Sequence, residues 1–142
     1  YPECEFDLRD WAKNYYVTSF EIALRRHVVF GENRVRYDVR FGPGAPRCKA
    51  SDEAFFVDDV VKAGYNCRFF PITVVTHPGK TNSHRYLTSA FLESQGVYIR
   101  SKYKWYSAWV RIPLVAWRHY KARRYTLFPA IWFLFRGWTF KR

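Results

Sequence analysis

Residues 51–65 read Ser-Asp-Glu-Ala-Phe-Phe-Val-Asp-Asp-Val-Val-Lys-Ala-Gly-Tyr. Ser51 has the side chain of an N-cap, and Asp52 and Glu53 fall in a first turn, where the helix dipole favours anions. Phe55, Phe56, Val60, Val61 and Ala63 supply an apolar face, with Asp58, Asp59 and Lys62 on a solvated side. Gly64 stands where a helix ends in the left-handed region. A short amphipathic helix opening on two adjacent carboxylates is therefore expected here.

Working outward, residues 41–47 (Phe-Gly-Pro-Gly-Ala-Pro-Arg) hold two glycines and two prolines, which excludes a helix and predicts a tight loop. On the other side, Cys67–Phe70 and Ile72–Thr76 are strand candidates that stop at Pro78-Gly79, with His77 at the strand end. Further upstream, Tyr15–Arg26 is rich in β-branched and aromatic residues and predicts a strand, Gly31-Glu32-Asn33 a turn, and Val35–Arg40 a short extended piece. Residues 1–14, including Glu5-Phe6-Asp7, read as linker. Beyond Asn82 the pattern turns helical. Arg85–Glu93 continues across Gly96 toward Lys102. Trp105–Arg123 carries Trp105, Trp109, Ile112, Ala116 and Tyr120 at three- and four-residue steps, and Pro113 must kink or restart it. Pro129–Phe140 forms a third helix.

Charge divides the chain at the same place. The whole of its 142 residues carries a formal +12, yet residues 1–80 hold 12 Lys/Arg against 11 Asp/Glu, while residues 81–142 hold 12 against the single acid Glu93. That second part also carries 16 of the 30 aromatics, so two parts with different surroundings are expected, 1–80 and 81–142. The basic, aromatic part suits an anionic partner. An amphipathic helix lying on a membrane surface, packing on other protein, and nucleic-acid stacking each fit its composition. No RNP, zinc-finger or helix-turn-helix pattern supports the last. The longest apolar run, Leu127–Phe135, is nine residues, short of the roughly 20 that span a bilayer. Three cysteines with no Cys-x-x-Cys spacing predict free thiols in a reducing compartment.

Chemistry concentrates in residues 41–77. A carboxylate at a helix start, beside a loop whose glycines let a backbone approach closely, can take a proton from a hydroxyl. Asp52 and Glu53 are the candidate pair, and a solvated capping pair is their plain reading. His77 is a candidate metal or phosphate ligand, against a hydrogen-bonded structural histidine. Gly42-Pro43-Gly44 is either a substrate-contacting loop or a simple turn. The P-loop, dinucleotide-binding, zinc-protease and nucleophile-elbow patterns do not occur, which argues against those chemistries.

Tyr37-Asp38-x-x-Phe41-Gly42-x-Gly44-Ala45, Ser51-Asp52-Glu53-x-Phe55-Phe56, Gly64-Tyr65 and Phe70-Pro71-x-x-x-Val75-x-His77-Pro78 together resemble the C-terminal half of a family 2 glycosyltransferase of the GT-A fold, of the kind that builds bacterial surface polysaccharide. The resemblance covers about Val17–Gly79. It implies an α/β fold: part of a mixed sheet, a short helix after the acid pair, then C-terminal amphipathic helices. It implies inverting transfer of a sugar from a nucleotide-diphosphate donor to a hydroxyl of a glycan or lipid-linked acceptor. Glu53 would be the general base with Asp52 beside it, in the reverse of the family's usual Glu-Asp order. Phe41, Gly42, Gly44 and Ala45 would face the acceptor, and His77 would meet a divalent metal, Mg or Mn, or the diphosphate. The family's donor-binding half, with its Asp-x-Asp motif, has no counterpart here. The expectation is a fragment, inactive alone, from an enzyme held peripherally at the cytoplasmic face of the cell membrane. The alternative is a small basic module that binds membrane or nucleic acid without catalysis.

Overall fold

The computed structural model describes residues 2–10, 17–76 and 88–142. They are mostly helical, with one two-stranded sheet. In chain order the elements are β1 (Phe6–Asp7), α1 (Arg26–Phe30), α2 (Asp52–Lys62), β2 (Arg68–Phe69), α3 (Ser89–Lys102), α4 (Ala108–Lys121) and α5 (Leu127–Trp138), with 3-10 turns at Leu8–Asp10, Ser19–Glu21 and Trp105–Ser107. The chain forms two compact units: Tyr1–Asp38 with Asp52–Gly79, and Val39–Ser51 with Lys80–Arg142. The division lies beside residue 80, where the charge changes, but the glycine-proline loop crosses into the helical unit.

In the first unit α2 forms as its sequence dictates. Its end is a Schellman motif: Gly64 has φ +86, its N–H donates to the Val61 carbonyl, and the Tyr65 N–H reaches back to Val60. Its start is less ordinary, because Ser51 sits at φ +70 rather than in the extended region usual for an N-cap. Val28, Phe56 and Val60 form a small core, against which Ile22, Val35, Tyr65 and Cys67 pack. Asp58, expected on a solvated side, is buried.

The strands differ from expectation. Residues 17–26 contain no strand. The Glu21 carboxylate accepts from both the N–H and the hydroxyl of Thr18, each at 2.7 Å, closing a 3-10 turn that competes with any ladder. Val35–Arg40 and Ile72–Thr76 also lie outside strands, and Ile72, Val74 and Val75 are exposed. Within Cys67–Phe70, Arg68–Phe69 does become β2. Its partner is β1, drawn from the segment read as linker, in antiparallel register Phe6↔Phe69. The two rings stack at 5.0 Å, and Glu5 pairs with Arg68 at 2.8 Å. The described residues thus mix helix and strand, as expected of an α/β chain, with helix predominant and the sheet limited to these two strands.

The second unit is a three-helix assembly whose core is Leu92, Ile99, Ala108, Ile112, Ala116, Ala130 and Leu134. Two glycines set its closest crossing. A Cβ on Gly96 of α3 would strike the Leu134 carbonyl oxygen of α5, and a Cβ on Gly137 of α5 would strike the Glu93 carbonyl oxygen of α3. The contact is backbone on backbone in both directions, and only glycine allows it. Pro113 sits inside α4 without ending it. That helix ends in another Schellman motif, with Arg123 at φ +53 doing what glycine does after α2.

Candidate functional site

The acid pair and its surroundings are the strongest chemical feature of the first unit. The turn before α2 brings Asp52 and Glu53 beside Tyr37 and Ser19. Tyr37 is held by its ring, which stacks flat on Phe56 of α2 with centroids 4.2 Å apart and planes 1° apart. Burial pushes the Glu53 carboxyl up from its ordinary value. The Glu53 backbone N–H opposes the shift, the Asp52 carboxyl, hydrogen-bonded to Glu53 and like in charge, adds to it, and the Ser19 hydroxyl opposes it again. The Tyr37 phenol is also pushed up, first by burial and then by the charges of Glu53 and Asp52. Asp52 and Glu53, both half-buried, can share a proton between their carboxyl groups, with the exposed Tyr37 and Ser19 close enough to interact with them.

Tyr37 and Ser19 did not emerge from motif reading as site residues. Tyr37 opens the loop motif and so carried a signal. Ser19 carried none, because its segment read as strand.

Phe41, Gly42, Gly44 and Ala45 belong to the second unit, where Phe41, Gly42 and Ala45 are buried and Gly44 is exposed. Phe41 sets its ring edge against Phe140, and a bridge with Cys48 closes the loop. Gly42 has φ +100, a conformation that favours glycine. Arg47 pins the loop: its Nε donates to Glu93 Oε2 at 2.6 Å, and its guanidinium lies over the Phe140 ring. Arg136 is the second cation on Glu93, at 3.5 Å. These contacts fix the loop's inner side and leave Gly44 exposed.

His77 lies outside the described residues. Among the described residues no group of three or more His, Cys, Asp or Glu side chains converges on a common point. Asp52 and Glu53 alone make an incomplete metal set. The three cysteines are free, and burial pushes the Cys48 and Cys67 thiols up, away from the reactive thiolate.

A cleft of about 490 Å³ opens in the first unit. Its wall is largely apolar, with Ile22, Val28, Phe56, Val60 and Phe69, and Arg25 and Arg68 at polar points. Neither Asp52 nor Glu53 lies on that wall, although α2 contributes Phe56, Val57 and Val60 to it. No described helix is long and apolar enough to cross a membrane. Comparisons of the chain with protein-family models, with curated proteins and with solved structures returned no match.

Proposed function

We propose that this chain is the catalytic-base portion of an inverting glycosyltransferase that moves a sugar from a nucleotide-diphosphate donor to an acceptor hydroxyl in surface-polysaccharide synthesis. The observation that carries the reading is Glu53: a carboxyl at a helix start, raised by burial and paired with Asp52. A carboxylate with a raised pKa is the stronger base. In the reaction the acceptor O–H proton passes to Glu53. The freed oxygen attacks the anomeric carbon, and the bond to the diphosphate breaks with its electrons going to phosphate. Asp52, hydrogen-bonded to Glu53, raises its proton affinity, and the Glu53 backbone N–H and the Ser19 hydroxyl lower it.

The GT-A form of the sheet, the Mg or Mn ion, the sugar-nucleotide site and the acceptor loop at Phe41–Ala45 belong to this proposal through the family likeness. So does a peripheral position at the inner face of the cell membrane, where lipid-linked acceptors lie. Because the donor-binding half is not among these residues, the test is made on an enzyme in which that half is joined to this chain. Glu53→Gln should lower kcat by about 10²–10⁴ with donor affinity unchanged. Asp52→Asn should lower it less and shift the acidic limb of the pH–rate profile. Full transfer activity in the double variant removes the assignment.

The basic surface of the second unit favours a second reading, a nucleic-acid-binding module without catalysis. Steeply salt-dependent RNA affinity together with no transfer activity would support it.

A further inference from the structure

Helix α4 carries a buried apolar stripe and an exposed one. Ala108, Ile112, Ala116 and His119 are buried. Trp109, Val110, Leu114, Trp117 and Tyr120 are 46–66% exposed. At 3.6 residues per turn the exposed set covers an arc of about 140°, centred about 130° from the buried set. Trp109 stands at its inner border, with its ring 6.1 Å from that of Phe135 in α5. The sequence spacing had joined Trp109 and Tyr120 with Ile112 and Ala116 in one face; the structure buries Ile112 and Ala116 and leaves Trp109 and Tyr120 exposed. Trp105 and Tyr106 in the preceding turn are exposed too, and extend the outer stripe.

Charge surrounds this stripe and is of one sign. Lys104, Arg118, Lys121, Arg123 and Arg124 are exposed. Residues 94–142 contain no acidic side chain, and Glu93, the one acid of 81–142, is buried and held by Arg47 and Arg136. Lys121 lays its ammonium against the Trp117 ring, 5.4 Å from the centroid, with its stem along the apolar stripe. An aromatic and aliphatic band rimmed by uncompensated cations complements a surface with anionic headgroups above an apolar layer. Val110 and Leu114 add to this match, since aliphatic side chains offer nothing to a stacked base.

We infer that the outer face of α4, Trp109–Val110–Leu114–Trp117–Tyr120, is a lipid-docking surface that lies flat in an anionic membrane leaflet. This deepens the peripheral location proposed above and rests on it for its cellular setting. The test involves no transfer assay, so the two ideas fail separately.

The experiment is flotation of the full chain with vesicles of equal parts phosphatidylcholine and phosphatidylserine, and with vesicles of phosphatidylcholine alone. The chain should float with the anionic vesicles and far less with the neutral ones, and added salt should weaken binding. The variant Trp109→Ser/Leu114→Ser/Trp117→Ser should lose at least about tenfold in partitioning while keeping its circular dichroism and melting temperature. A second variant, Lys104→Glu/Arg118→Glu/Lys121→Glu, changes only exposed side chains. It should lose about tenfold on anionic vesicles and little on neutral ones, which keeps the test decisive should the first variant misfold. Undiminished vesicle binding in both variants overturns the inference. So does absence of binding to anionic vesicles at low salt, whether or not RNA is bound. A vesicle-free dimer that dissociates in the first variant assigns the face to a second copy, and overturns it equally.

Discussion

The two units place a buried or half-buried glutamate in opposite electrostatic settings. Glu93, in the helical unit, is buried with two guanidinium groups on it, and through Arg47 it ties a loop to α3. Glu53, in the first unit, is acted on by burial, a backbone N–H, a second carboxyl and a hydroxyl, none of them a cation. The first arrangement satisfies its charge and serves architecture. The second leaves a carboxyl with raised proton affinity, which costs stability and is the kind of cost that functional sites carry. The contrast extends to packing. The helical unit brings two backbones together at paired glycines, whereas the first unit packs through side chains, with Val28, Phe56 and Val60 clustered and a rim of partly buried residues against them.

The comparison breaks most visibly at the glycines. Gly137→Leu should destabilise the helical unit by at least about 3 kcal/mol, because α5 must move off the Glu93 carbonyl. Amide hydrogen exchange should show lost protection across α3 and α5. Wild-type protection in that variant would mean that the crossing is not as close as described.

A smaller effect is expected at Glu93. Glu93→Gln should cost about 2 kcal/mol in urea unfolding. That is less than for a fully buried pair, since Arg47 and Arg136 are 39% and 52% exposed and turn to water. The loop 39–51 should gain mobility on the NMR timescale as its anchor goes.

Glu53→Gln should act with the reverse sign, and least. A carboxyl raised on folding keeps its proton in the native state at pH values where the unfolded chain has released it. Stability therefore falls as pH rises from the ordinary value of 4.5 through the raised one. Above that window the Gln variant should be slightly more stable than wild type, by under about 1 kcal/mol because water reaches the group. Below it the two should coincide. A Gln variant less stable than wild type at neutral pH would show that Glu53 is held by favourable partners, and the contrast with Glu93 would be lost.

Local chemistry was legible where it acts over a few residues. Dipole-favoured acids, a period-3.6 apolar pattern and a glycine at C′ wrote α2 and its Gly64 end into the sequence, and the same patterns marked the three C-terminal helices and the charge break near residue 80. Arg123 ends α4 in the same way as Gly64 ends α2, but an arginine gives no warning of positive φ. Strand reading failed because β-propensity reports fit to a pleated, half-buried surface, and that surface depends on a partner. Tyr15–Arg26 had apolar and β-branched residues, yet its described part, 17–26, joins no strand ladder. Phe6–Asp7 looked like linker yet found β2 sixty residues away.

By itself, the sequence determined that α2 and three C-terminal segments are helical, that α2 stops at Gly64, that residues 81–142 carry one acid among many cations, and that Asp52 and Glu53 stand together at a helix start. Only the tertiary structure decided that the Phe41–Ala45 loop packs with the C-terminal helices, that Tyr37 and Ser19 join the acid pair, and which of the two apolar stripes of α4 faces inward. The first set follows from hydrogen bonds and dipoles within a few residues of chain. The second depends on which distant surfaces exclude water from one another, and neither composition nor spacing records that choice.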